Sequence, residues 1–259
     1  MPTVNEIRKT IVQLVHKAKV SHVGAALSVA DILYTLYFKI ISLNDTPDRD
    51  IVILSKGHAS AALYSVLYHK GLLSQAQLDG YSCDAGSLPC HIDKEKSPYF
   101  EISSGSLGHG LPVGLGMAAA KKIDGRKGRV FVICGDGEMN EGSVWEAIMF
   151  AGAQRMNNLV LIVDYNKIQG FAASDTIIDQ SNLAQRLSTF GFKVAEIDGH
   201  NLAQIEQVLS EKETSQPLAI VAHTVKGKGV SFMEGKLEWH YKSPNDEQLT
   251  IALAELEDK

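Results

Sequence analysis

The sequence predicts an α/β fold, doubly wound, with a mainly parallel sheet of about five or six strands and helices on both faces. Three observations carry that prediction. Short β-branched runs occur at Ile51–Leu54, Arg129–Cys134, Leu159–Asp164, Phe192–Ile197 and Leu218–Ala222. Each is nearly apolar throughout, as in a strand covered by helices on both sides. The helical stretches between them are long enough to serve as right-handed crossovers.

The elements follow in order. From Asn5 the apolar residues Ile7, Ile11, Leu14 and Val15 recur at helical spacing, and a second such pattern runs from Val29 to Ile41. These predict two amphipathic helices joined by the loop Val20-Ser21-His22-Val23-Gly24. The stretch from Tyr81 to Ser106 carries Gly, Pro, Ser and acids without sustained periodicity. So long a connection inside a compact domain is usually functional or mobile. Ser143 to Met156 reads as a helix, so the second and third strands form a βαβ unit. After an irregular stretch from Lys226 to Tyr241, a last helix starts with Ser243 as cap, Pro244 in the first turn and Asp246 three residues after the cap. With no internal repeat, low-complexity tract or linker, residues 1–259 read as a single domain.

Composition narrows the function classes. With 45% hydrophobic residues in 259, the chain has ample material for a core. A net charge of −5 without a long basic run disfavours nucleic acid as a partner. The three cysteines, Cys83, Cys90 and Cys134, have neither CxxC spacing nor a Cys/His cluster, which predicts free thiols in a reducing cytosol. Polar residues interrupt every apolar stretch of the amino terminus, and nowhere do about 18 apolar residues run together. A soluble, cytoplasmic protein without a membrane partner is expected.

In open parallel sheets, ligands bind beyond the carboxyl ends of the strands. Gly135-Asp136-Gly137-Glu138-Met139-Asn140-Glu141 follows the second strand, and Tyr165-Asn166-Lys167-Ile168-Gln169 follows the third. Asp136 and Asn166 would then stand at neighbouring strand ends. A carboxylate, an amide oxygen and the Ile168 carbonyl make a hard oxygen set too small to enclose a cation alone. Mg²⁺ held this way completes its octahedron with phosphate oxygens and water. The two glycines admit the backbone close to those phosphates, and the next helix directs its positive end at them. Gly-Asp-Gly alone is common in turns; the asparagine one crossover later makes the pattern specific. No GxGxxG opens a helix after the first strand, and Gly105-Ser-Leu-Gly-His-Gly110 follows a loop, so a dinucleotide site is disfavoured.

GDGEMNEGSVWEAIMFAGAQRMNNLVLIVDYNKIQ resembles the thiamine-diphosphate fingerprint, and SHVGAALSVADILY, LSKGHASAALYSVLY, ISSGSLGHGLPVGLGMAAA and VKGKGVSFMEGKLEWH resemble the corresponding blocks of transketolase. The resemblance spans essentially the whole chain but only the amino-terminal, diphosphate-binding half of that family. It implies the amino-terminal subunit of a split transketolase, which moves a two-carbon ketol unit from a ketose to an aldose, with a phosphorylated donor expected. By position it implies that Asp136, Asn166 and the Ile168 carbonyl hold Mg²⁺, with Ca²⁺ or Mn²⁺ as substitutes. Gly137, His58 and Lys226 would contact the diphosphate of thiamine diphosphate, while Gly105, Leu107 and His240 line the cofactor. His22, His58, His91 and His240 match the family's active-site histidines, and Glu141 matches an acid connecting paired sites. The pyrimidine-binding and carboxy-terminal domains, with the glutamate that activates the cofactor, would lie on a partner chain in an α₂β₂ assembly.

Imidazole suits proton traffic among sugar hydroxyls near neutral pH. The other histidines have plainer expectations: His16, His69, His200 and His223 read as structural. His109 has no assigned role; many full-length transketolases carry Gln there, and Pro at Ser106 and Val23, which bears on substrate contacts. Cys134 is expected to pack in the core, and the face with Trp145, Ile148 and Met149 to be core or a subunit interface. Alternatives are a decarboxylating thiamine-diphosphate enzyme (deoxyxylulose-phosphate synthase or the first component of a 2-oxo-acid dehydrogenase), a sulfosugar-specific transketolase subunit, and a non-enzymatic module.

Overall fold

The computed structural model describes residues 1–43, 46–211 and 215–257. Helix α1 (Val4–Ala18) opens on a capping box between Thr3 and Glu6 and ends on Lys19 in the left-handed conformation. Its apolar face, Ile7, Ile11, Leu14 and Val15, is buried as the spacing predicts. Helix α2 (Val23–Thr35) starts well before the Val29 expected from periodicity, so Val23 and Gly24 are helical and the joining loop is shorter than predicted. Every residue of α2 is buried, and a helix buried all round has no amphipathic signal to mark its start. It runs on through a π turn, Leu36–Ile40. The stretch Val23–Ile40, 18 residues at mean hydropathy 1.4, is long and apolar enough to cross a membrane by those measures, contrary to the expectation from sequence. It is 83% buried within the fold, the property of a core helix.

Five parallel strands, β1 (Ile51–Leu54), β2 (Val130–Gly135), β3 (Leu159–Tyr165), β4 (Lys193–Asp198) and β5 (Leu218–His223), form one sheet in the order β1-β2-β3-β5-β4. Side chains alternate between its faces. Phe131, Ile133, Val160, Ile162 and Ile220 join one core with α1, α2, α3 (Ser60–His69) and α9 (Leu202–Leu209). Val130, Val132, Leu161, Val163 and Val221 join a second core with α5 (Gly110–Ile123), α6 (Gly142–Ala153) and α8 (Leu183–Thr189). The doubly wound class is therefore observed. Strand β4 departs from the expected all-apolar pattern: it is an edge strand, with Lys193, Glu196 and Asp198 exposed.

Two short helices, α4 (Gln75–Asp79) and α7 (Ser174–Ile177), lie in the connections. The last helix, α10 (Asp246–Glu255), is capped by Asn245 in a capping box with Gln248, not by Ser243. The Ser243 hydroxyl donates instead to the Val15 carbonyl at 3.0 Å, tying the segment to α1. Cys134 is fully buried in the second core, as expected. The Trp145 face divides: Ile148 is core, the Trp145 indole donates to the Met139 carbonyl at 2.7 Å, and Met149 is 56% exposed.

The long Tyr81–Ser106 connection holds one bridge, Tyr81 to Leu88, and a single 3₁₀ turn, Lys94–Lys96. Anchors fix it to α3 and β1. The Ser60 and Tyr64 hydroxyls donate to the Cys90 and Pro89 carbonyls, and the Ser104 hydroxyl donates to the Leu54 carbonyl. The connection thus carries His91 to the carboxyl edge of the sheet.

Candidate active site

A cavity of about 520 Å³ lies at the carboxyl ends of β1, β2, β3 and β5. The chain order makes that place: the route from β3 to β4 skips a position that β5 later fills, and such reversals open a crevice. Every residue that the sequence assigned to the site lines this one cavity: His22, His58, His91, Gly105, Leu107, Asp136, Gly137, Glu141, Asn166, Ile168, Lys226 and His240. His109 does not line it; it is exposed at the start of α5, its Nδ1 3.1 Å from the Leu107 carbonyl. Glu141 lies exposed on the cavity rim at the start of α6.

The oxygen donors come from β2 and β3, whose ends are in register at Gly135 and Asp164. The buried Asp136 carboxylate accepts from the Ser174 hydroxyl at 2.6 Å and from the Gly137 amide at 2.9 Å. Burial, with the nearby Asp164 charge, pushes its carboxyl above the usual range. The Asn166 side-chain oxygen accepts from the Ile168 amide at 3.1 Å, and its amide nitrogen faces the Ser28 hydroxyl at 3.4 Å. The Ile168 carbonyl accepts from the Lys226 ammonium at 3.1 Å. Each of these oxygens accepts neutral donors or one ammonium, so each retains lone-pair capacity. Among the described residues no group of three or more His, Cys, Asp or Glu could hold a metal, so a cation here depends on amide and carbonyl oxygens and on a ligand.

Two lysines supply positive charge. Lys226 also donates to the Gln169 carbonyl at 3.2 Å and to His240 Nδ1 at 2.9 Å. Burial and the nearby Lys56 lower its ammonium to about 8. Lys56 is buried in an ion pair with Asp164, and it donates to the Ala25 carbonyl at 3.2 Å. Asp164 also accepts from the Ser28 and Thr224 hydroxyls. Burial alone would raise the Asp164 carboxyl, but Lys56 and these donors together hold it below the usual range.

Four imidazoles crowd the opposite wall. The His22 ring centroid lies 4.8 Å from that of His240, 5.1 Å from His58 and 5.8 Å from His91. Burial first, then the neighbouring positive charges, lowers His22 to about 4 and His240 to about 3; His58 moves well down for the same reasons. At neutral pH these three rings are uncharged, and Lys226 donating to His240 Nδ1 leaves the proton of that ring on Nε2. His22 sits in the left-handed region, φ 76°, with its amide bonded to the His240 carbonyl at 2.9 Å. A non-glycine residue held there is strained, and such strain concentrates at functional sites.

The remaining histidines are structural, as expected. His16 meets Asp246, His69 meets Thr10, and His223 meets Glu196. His200 accepts from the Val225 amide at 2.8 Å, which places its proton on Nδ1, 2.7 Å from Asp31.

Several site residues carry no mark that the sequence pattern reveals. Lys56 and Asp164 form the floor, and a lone acid closing an apolar strand was the available signal. Glu138, buried within the cavity wall, accepts from the Ser55 hydroxyl and from the Gly108 and Gly135 amides, clamping three loops. Gln180 braces the turn by donating to the Asp136 carbonyl at 2.9 Å and to Asn140 at 2.7 Å. Nothing in the local sequence pattern marked Gln180.

Comparison with known proteins adds an independent finding. The family model described as transketolase, thiamine diphosphate binding domain, matches residues 1–253. One of the two subunits of the apulose-4-phosphate transketolase of Actinobacillus succinogenes is 38% identical, over 97% of this chain and 93% of that protein. The 6-deoxy-6-sulfo-D-fructose transketolase subunit SqwG of a Clostridium species is also 38% identical, over 98% and 94%. Among solved structures, transketolase from Campylobacter jejuni superposes with a TM-score of 0.90 at 32% identity, over 98% of this chain but 42% of that one. The chain thus spans nearly all of the subunit relatives and about two fifths of the full-length enzyme.

Proposed function

The chain belongs to the transketolase family, matching its thiamine-diphosphate-binding domain, and from that premise we propose that it is the diphosphate-binding subunit of a two-chain transketolase. The reaction is transfer of a two-carbon ketol unit from a ketose to an aldose. The observation that carries this reading is the single cavity joining the Asp136–Asn166–Ile168 oxygen set, two lysines and four histidines. A decarboxylating reading is not favoured, because the family model and the subunit relatives are transketolases.

The cavity fits the cofactor on chemical grounds. A Cβ added at Gly135 would meet only Lys56 Cδ, at 4.0 Å, so the turn leaves room for a group pressed against its backbone. Asp136, Asn166 and the Ile168 carbonyl would hold a divalent cation, with Mg²⁺ the natural choice for hard oxygens and a diphosphate. Gly137, His58 and Lys226 would meet the diphosphate, and Gly105, Leu107 and His240 the rest of the cofactor. Thiamine diphosphate, when bound, supplies the electron sink for carbon–carbon cleavage.

The work of this chain is positioning and proton handling. Lys226 and Lys56 offer positive charge to the diphosphate. Part of what depresses His22, His58 and His240 is those same two charges. An anion bound beside the lysines offsets that repulsion and raises the rings toward the range useful for proton exchange with sugar hydroxyls. His22 and His91 are assigned to the substrate, His58 and His240 to both ligands, and Glu141 to communication between paired sites.

A partner chain supplying the pyrimidine side is part of this reading, in an α₂β₂ arrangement, because relatives of nearly the same extent are named as subunits. Phe171, 72% exposed, and Ile178, 49% exposed, line the cavity mouth and suit a surface covered by another chain. A sugar phosphate or sulfosugar is the proposed donor class, and a cytoplasmic setting is expected. Co-purification identifies the partner, and the assembled pair is assayed for two-carbon transfer between sugars and for carbon dioxide release from pyruvate. Transfer without decarboxylation supports the proposal; release of carbon dioxide overturns it.

A further inference from the structure

Among the described residues, five buried side-chain polar atoms have no hydrogen-bond partner, and Gln169 Nε2 is the one belonging to a cavity-lining residue. An unpaired buried amide is costly, so its presence calls for an acceptor. The Gln169 backbone is fixed at both ends of its peptide units: its amide donates to the Ala172 carbonyl at 2.9 Å, and its carbonyl accepts from Lys226 at 3.2 Å. The side chain lies flat against Gly137. A Cβ added there would meet Gln169 Cγ and Cδ at 3.0 Å and Oε1 at 3.1 Å. Gly137 therefore has no side chain partly because Gln169 occupies that space, directly over the glycine turn.

We propose that Gln169 is a further ligand-binding residue, its Nε2 donating to an oxygen of the bound diphosphate, a role that rests on the thiamine-diphosphate reading above. The acceptor must be rich in lone pairs and reach a spot between the Gly135–Gly137 turn and Lys226. A diphosphate meets both requirements. The donor is neutral, so it adds direction to the charge supplied by the two lysines without adding to their mutual repulsion.

The test uses the full chain, together with its partner where one co-purifies. Calorimetric titrations with thiamine diphosphate and with inorganic pyrophosphate, each with Mg²⁺, compare the wild type with Gln169→Leu and Gln169→Glu. Leucine should weaken both ligands about tenfold, the worth of one hydrogen bond to a charged acceptor, and glutamate more, by like-charge repulsion. The melting temperature of the ligand-free Leu variant should stay level or rise, because an unpaired donor has been removed. Wild-type affinity in the Leu variant overturns this inference and leaves the parent reading standing. Loss of affinity only in step with a lowered ligand-free melting temperature also overturns it, by showing a structural role. A wild type that binds neither ligand overturns both readings.

Discussion

Acidification from about pH 7 to about pH 5 should destabilise the ligand-free protein by about 3 kcal/mol through two imidazoles of the cavity. His22 titrates near the ordinary imidazole value of 6.5 when unfolded and at about 4 when folded; His240 moves to about 3. Below 6.5 the unfolded chain takes up protons that the folded cavity refuses, so stability is full above that value and is lost as pH falls toward 4. The slope is about 1.4 kcal/mol per pH unit for each group. Over the 1.5 units from 6.5 to about pH 5, His22 contributes about 2 kcal/mol. His240 is more open to solvent, and screening reduces its share to about 1 kcal/mol. Asp136 and Glu138, both raised by burial, work in the opposite sense, so the difference between variants is the clean readout. Urea unfolding at the two pH values compares the wild type with His22→Asn/His240→Gln; asparagine tolerates the left-handed backbone at position 22. The pH-induced loss should shrink by about 3 kcal/mol in the double variant. An equal loss in both proteins would refute the reasoning.

Lys56→Met should cost about 3–5 kcal/mol in denaturant unfolding, because Asp164 is left charged and buried, and adding Asp164→Asn should recover most of that. Asp136→Asn should keep or slightly raise ligand-free stability while removing Mg²⁺-dependent cofactor binding, checked by unfolding and by titration calorimetry. Gly110→Ala drives a Cβ into the Ser55 hydroxyl, and a loss of about 1–3 kcal/mol is expected by thermal unfolding. His109→Ala, outside the cavity, should leave cofactor affinity within about twofold in the same titration, against the roughly tenfold loss of a single bond to a charged acceptor.

The sequence was most legible where chemistry constrains residue type at fixed spacing. Asp136 and Asn166 are separated by one crossover, and parallel register alone brings their strand ends together. The central strands were legible because burial on both faces leaves a plain apolar run. That same property hid the start of α2: its first residues, Val23 to Ser28, are apolar or small on every side, so periodicity had nothing to register. Edge strand β4 misled in the opposite way, since one exposed side admits Lys193 and Glu196. The cap of α10 went to Asn245 because Ser243 is drawn to the Val15 carbonyl, a contact between chain ends that no local pattern encodes. The floor pair Lys56–Asp164 and the brace Gln180 depend on distant elements meeting, and only coordinates reveal such partners.

The most direct test of the central claim is titration of the protein with thiamine diphosphate in the presence of Mg²⁺ and again in the presence of a chelator, for the wild type and for Asp136→Ala. Saturable binding that requires the metal, and that vanishes when Asp136 is replaced, is the predicted result. Binding of equal strength without metal, or undiminished in the Asp136→Ala protein, would contradict it.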